Sequence, residues 1–132
     1  MIRPAFLSPL RVEQVTEDTW RLLAEFRYDS AAFGGRLIVP EGYVTDFASV
    51  PRVPIAYLVA GGEAHKPALV HDFLYGTHLC SRATADAVFL EAMTVQGDVA
   101  WRRRLMWAAV RLGGRRAWES GPARFGRLGN KV

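Results

Sequence analysis

One cysteine, Cys80, and two lysines stand in a chain of 132 residues with no internal repeat and no low-complexity tract. A single thiol excludes an internal disulfide framework and a cysteine-rich zinc site. No apolar run approaches the ~20 residues needed to cross a bilayer. Met1-Ile2-Arg3-Pro4 lacks the long apolar core of a signal peptide. Together these absences predict a soluble chain made in a reducing cytosol. The length suits one domain able to bury about two thirds of its unfolded surface, so it needs no covalent staples.

Arginine takes the place of the missing lysine, at 15 against 2. Residues 1–66 carry 7 basic and 8 acidic groups, whereas residues 67–132 carry 10 and 5. Arg102, Arg103, Arg104, Arg111, Arg115, Arg116, Arg124 and Arg127 crowd the C-terminal third. Guanidinium forks suit phosphate and carboxylate, which points to nucleic acid or an anionic membrane as partners. The same residues also serve as solubilising surface, the commoner role of such an excess.

The first half reads as β. Leu10 to Val15 alternates in part, and Trp20, Leu22, Ala24, Phe26 and Tyr28 alternate with their neighbours as one half-buried strand. Thr16 to Thr19 makes a turn between them, and Arg36 to Val39 is a further short strand after Gly34-Gly35. Tyr43 to Arg52 ends in prolines and reads as an ordered loop, with a short helix opening at Ser49 as one option. The second half reads as α. Helices are expected over Glu63 to His78, from an N-cap at Ser81 to Gln96 before Gly97, and from Asp98 to Leu112. The fold class is therefore α+β, a small antiparallel sheet packed on a three-helix unit within residues 1–118. Residues 119–132, with glycines and Pro122, read as an extended Arg- and Gly-containing tail. On the third helix Trp101, Leu105, Ala108 and Leu112 form an apolar stripe that should pack on the other helices.

Chemistry concentrates where the first two helices face each other. If they form an antiparallel hairpin with its apex near residue 79, His71 meets Asp86. A carboxylate on one imidazole nitrogen fixes the tautomer and raises the basicity of the other, the orienting half of a base-activated hydrolytic site. Tyr75, one turn after His71, reaches the same carboxylate. His71, Asp86 and Tyr75 are thus the candidate catalytic set, and the same contact read as structure is a satisfied buried pair. The polar groups of an otherwise apolar loop need partners, which adds Thr45, Asp46, Ser49 and Arg52, with Arg82, as pocket residues. Asp72 and Asp46 are candidate metal ligands, and the mix of His and carboxylates leaves calcium and zinc both open.

Val39-Pro40-Glu41-Gly42-Tyr43-Val44-Thr45-Asp46-Phe47-Ala48-Ser49-Val50-Pro51-Arg52, His71-Asp72-Phe73-Leu74-Tyr75, and Arg82 with Ala85-Asp86 resemble an uncharacterised domain family of tailed phages and prophages. The resemblance spans nearly the whole chain and implies a viral context without an activity. Locally, His71-Asp72-Phe73 with Tyr75, then Asp86, Phe89 and Met93, is similar to the paired helices of secreted prokaryotic phospholipases of the A-two class. That resemblance implies His71 as base, Asp86 as its orienting group and Asp72 as a calcium ligand. The chain departs from it in having no partner for Cys80 and no Gly-rich calcium loop, unless residues 42–49 or Gly61-Gly62 substitute.

Two functions follow as expectations. One is a hydrolase of a cell-envelope lipid or peptidoglycan component, with His71 open to solvent. The other is a non-catalytic virion or tail-assembly protein that docks on other phage proteins, with His71 and Asp86 buried and satisfied. Either is made in the host cytoplasm, and the second ends in the virion.

Overall fold

The computed structural model describes residues 1–46 and 65–130, with the side chains of 65 and 124–130 outside that description. The chain is α+β. Six strands come first: β1 (Ala5–Phe6), β2 (Val12–Thr16), β3 (Thr19–Leu22), β4 (Phe26–Ser30), β5 (Gly35–Val39) and β6 (Val44–Thr45). Four helices follow: α1 (His65–Thr77), α2 (Arg82–Gln96), α3 (Ala100–Gly113) and α4 (Arg115–Asn130).

The strands form two antiparallel sheets rather than one, in the orders β1-β4-β5 and β2-β3-β6. The β2–β3 hairpin turns where expected, with Glu13 opposite Arg21 and an ion pair between them. The nine-residue strand expected from Trp20 to Tyr28 is divided. Its inward positions hold, since Leu22, Phe26 and Tyr28 are all buried. The backbone nevertheless bends at Leu23 and Ala24. Its first half hydrogen-bonds to Tyr43 and Gly42, and its second half pairs with β5. The cause is the turn after β5, where Gly42 sits at φ +86° and Tyr43 N–H donates to the Pro40 carbonyl at 3.1 Å. That turn carries the partner backbone from one sheet to the other, and side-chain periodicity is blind to such a change of partner. Val44 and Thr45, expected in a loop, form the short edge strand β6 against β3.

The helices close over both sheets. Ser81 caps α2 by accepting from the Thr84 N–H at 3.1 Å, and Gly97 ends it in the left-handed region at φ +91°. Glu91 of α2 ties the helix to the β1-β4-β5 sheet. It accepts from Tyr28 Oη at 2.7 Å, Ser30 Oγ at 2.7 Å and the Ala32 N–H at 2.9 Å. Burial, and then the neighbouring Glu91, push the Tyr28 hydroxyl well above the ordinary phenol range.

Two expectations fail on the last helices. On α3 the buried side chains are Met106 and Val110, while Trp101, Leu105 and Leu112 are exposed. The expected core stripe faces outward, because the opposite face of this helix also carries apolar residues and packs on α2. Residues 119–130 are helical rather than extended. Helix-breaking composition is overridden by tertiary contact there. Gly121 is buried where α4 crosses α1, and a Cβ at this position would collide with the Tyr75 carbonyl. Pro122 cannot donate to the Trp118 carbonyl four residues back. His78 Nε2 donates to that carbonyl instead, at 2.8 Å, and its ring stacks on Trp118 at 3.6 Å.

Candidate functional site

The expected helical hairpin is present, and it places a carboxylate at the centre of a polar cluster. His71 and Tyr75 lie one turn apart on α1 and both bond Asp86 Oδ1, each at 2.7 Å. The second oxygen, Oδ2, accepts from Arg111 Nη1 of α3 at 2.8 Å, with Arg82 Nη1 at 3.8 Å. His71, Tyr75 and Asp86 are each fully buried. The His71 ring lies 4.1 Å from Tyr75 and 4.8 Å from Phe89 between centroids, so aromatic walls enclose it.

Electrostatics follow from that enclosure. Burial pushes the Asp86 carboxyl upward, but hydrogen bonds from His71, Tyr75 and Arg111 outweigh it and hold its pKa below the ordinary carboxylate range. Burial, with the Asp86 bond and charge, raises the Tyr75 hydroxyl above the phenol range, so it stays a donor at neutral pH. With Asp86 ionised, His71 Nε2 donates, and in a neutral ring Nδ1 is the basic nitrogen.

Asp72, the next residue of α1, turns to the sheet instead. Its Oδ2 accepts from Tyr43 Oη at 2.8 Å and from Thr45 Oγ1 at 2.6 Å. Thr45 is fully buried and Tyr43 nearly so. The two carboxylates thus anchor different layers: Asp86 joins three helices, and Asp72 joins α1 to β6. Arg82 does its strongest bonding elsewhere. It donates to the Val110 carbonyl at 3.1 Å and twice to the Arg111 carbonyl at 3.3 Å, which satisfies the C-terminal end of α3.

Among the expected residues, then, the structure brings together His71, Tyr75, Asp86 and Arg82 in one cluster, and Thr45 and Asp72 in a second. Asp46 follows Thr45 at the end of β6 and is half-buried. Ser49 and Arg52 lie outside the described residues, as does the short helix opening at Ser49. For the metal set of Asp72 and Asp46, no three His, Cys, Asp or Glu side chains converge on one point among the described residues.

Sequence reasoning missed Tyr43 and Arg111. Tyr43 was legible, since period two puts it on the same face as Thr45. Arg111 was not, because only the crossing of α3 over α2 selects it from a run of arginines.

A family model described as a protein of unknown function, DUF1353, matches residues 20–110, and the chain belongs to that family. The match runs from β3 to the last turns of α3 and includes both carboxylates with their partners except Arg111, which lies one residue beyond it. No curated protein and no solved structure matches the chain. Among the described residues, no helix is long and apolar enough to cross a membrane.

Proposed function

We propose that this member of the DUF1353 family is a non-catalytic docking protein of tailed phages, a virion or tail-assembly component. The observation that carries this reading is the complete burial of His71 and Asp86, with both Asp86 oxygens occupied by donors. A general base must reach the proton it removes or the water it activates. An imidazole walled by Tyr75, Phe89 and a saturated carboxylate is built to hold three helices in register. The viral setting rests on the sequence pattern from Val39 to Arg52, with His71-Asp72 and Arg82.

A second reading keeps the hydrolase of a cell-envelope lipid or peptidoglycan component. The 2.7 Å contact of Asp86 with His71 Nε2 favours it, because it is the geometry that orients a base. His71→Gln, which retains an amide donor toward Asp86, separates the two. On the docking reading, a phage or prophage deleted for the gene and complemented with folded His71→Gln yields infective particles at the wild-type level. Loss of particles with the melting transition intact overturns it. A second measurement uses the wild-type chain with peptidoglycan sacculi or phosphatidylglycerol vesicles, with calcium or zinc added. Released product overturns the docking reading whatever the variant does.

A further inference from the structure

The outward stripe of α3 has the spacing of a helix–helix seam. Trp101, Leu105, Ala108 and Leu112 are separated by four, three and four residues, the alternation of heptad core positions. Trp101 is 59 % exposed, Leu105 50 % and Leu112 89 %, while Met106 and Val110 on the opposite face are buried. The helix is therefore apolar on two sides, and one of them meets solvent.

The flanks of the stripe are basic. Arg104 and Arg111 immediately precede Leu105 and Leu112, and Arg102 follows Trp101. These are the positions from which charged side chains select a partner across a two-helix seam. No acidic residue lies between Asp98 and Glu119. Arg104 is exposed with no acidic partner among the described residues. The Arg102 guanidinium lies 5.7 Å from the Trp101 ring centroid, and its Nε is buried without an acceptor among the described residues. Trp and Arg are residue types enriched in interface hot spots.

We propose that α3 docks an acidic amphipathic helix of another protein, with apolar heptad positions over Trp101, Leu105 and Leu112 and Glu or Asp against Arg102 and Arg104. This rests on the docking reading above and supplies its partner chemistry. Charge complementarity selects this occupant. A second copy of α3 would set arginine against arginine across the same seam. The stripe is also narrow, whereas a helix lying in a lipid interface needs a broad apolar face. Phosphates of a nucleic acid would engage the arginines but leave the apolar centre without a partner.

The probe is a labelled synthetic helix of about four heptads, with Leu at the core positions and Glu at both flanks. Its counterpart carries Lys at the flanks. The full chain is expected to bind the Glu peptide at least tenfold more tightly than the Lys peptide, weakening as salt rises from ~50 to ~500 mM. Leu105→Glu should abolish binding, and Arg104→Glu should weaken it about tenfold. Three results overturn the proposal: equal binding of the two peptides, a concentration-dependent dimer lost in Leu105→Glu, or binding only to vesicles with about 30 % phosphatidylglycerol or to nucleic acid. Incorporation of the chain into particles is scored in parallel. If incorporation persists while the Glu peptide fails to bind, the partner chemistry is wrong and the docking reading stands. If the chain is absent from particles and dispensable for their assembly, the docking reading itself fails.

Discussion

Asp86 shows how one residue can bind three helices. It sits on α2, takes two donors from α1 and one from α3, and is ionised at neutral pH because those donors outweigh its burial. The sign of its pH dependence follows. Its folded pKa lies below its unfolded value of about 3.9, so the stabilisation is complete above that value. It is lost as pH falls through the folded pKa. The expected outcome is a melting temperature that drops below about pH 4, with a shallower acid dependence in Asp86→Asn at lower overall stability. Thermal melts of both chains from neutral to acid pH check this, and equal acid slopes would remove Asp86 from the account. The surface pair Asp29–Arg36 also lowers a carboxyl pKa, through the Arg36 hydrogen bond first, and is unchanged in the variant, so the difference between the chains isolates Asp86.

At the scale of elements, the arrangement depends on close approach as much as on polar contact. The α4 helix crosses α1 at Gly121 and the preceding turn sits over Tyr75, where a Cβ on Gly114 would stand 2.7 Å from Tyr75 Oη. Gly121→Ala is expected to push α4 off α1 and cost ~1–3 kcal/mol, the usual penalty for overpacking a fitted contact. Hydrogen exchange should then rise across α4 and in the Tyr75 turn of α1. An unchanged melting temperature and exchange pattern would show that α4 contributes little to the fold. On α3 the two faces predict opposite outcomes. Val110→Ala should cost ~1–3 kcal/mol as a core truncation, whereas Leu105→Glu, on the outward stripe, should stay within about ±0.5 kcal/mol. Denaturant melts of the two variants check which face holds the fold.

At the scale of the molecule, the two halves divide the work. The sheets and α2 carry a small acidic excess, with Glu91 tying α2 to the β1-β4-β5 sheet, and the basic excess lies on the last two helices. Attraction to anionic partners should therefore come from α3 and α4 and leave the sheets unaffected. Arg104→Glu with Arg116→Glu is expected to reduce retention on a cation-exchange resin without changing the melting temperature. Replacing Arg11, just before β2, and Arg27 on β4 in the same way should reduce it less; equal reductions would place the basic field elsewhere.

The sequence by itself determined the elements whose signals are local. The hairpin turn at Glu17-Asp18, the Ser81 and Gly97 caps, and the meeting of His71, Tyr75 and Asp86 all follow from spacing along one strand or one helical pair. Tertiary structure decided what depends on a distant partner. It divided the Trp20–Tyr28 stretch between two sheets, because the turn at Gly42 moved the pairing backbone. It made a helix of the Gly- and Pro-containing C-terminal stretch, because Gly121 permits contact with α1 and His78 satisfies the carbonyl that Pro122 leaves open. It chose between two apolar faces of α3, because only one fits against α2, and in doing so left Trp101, Leu105 and Leu112 exposed.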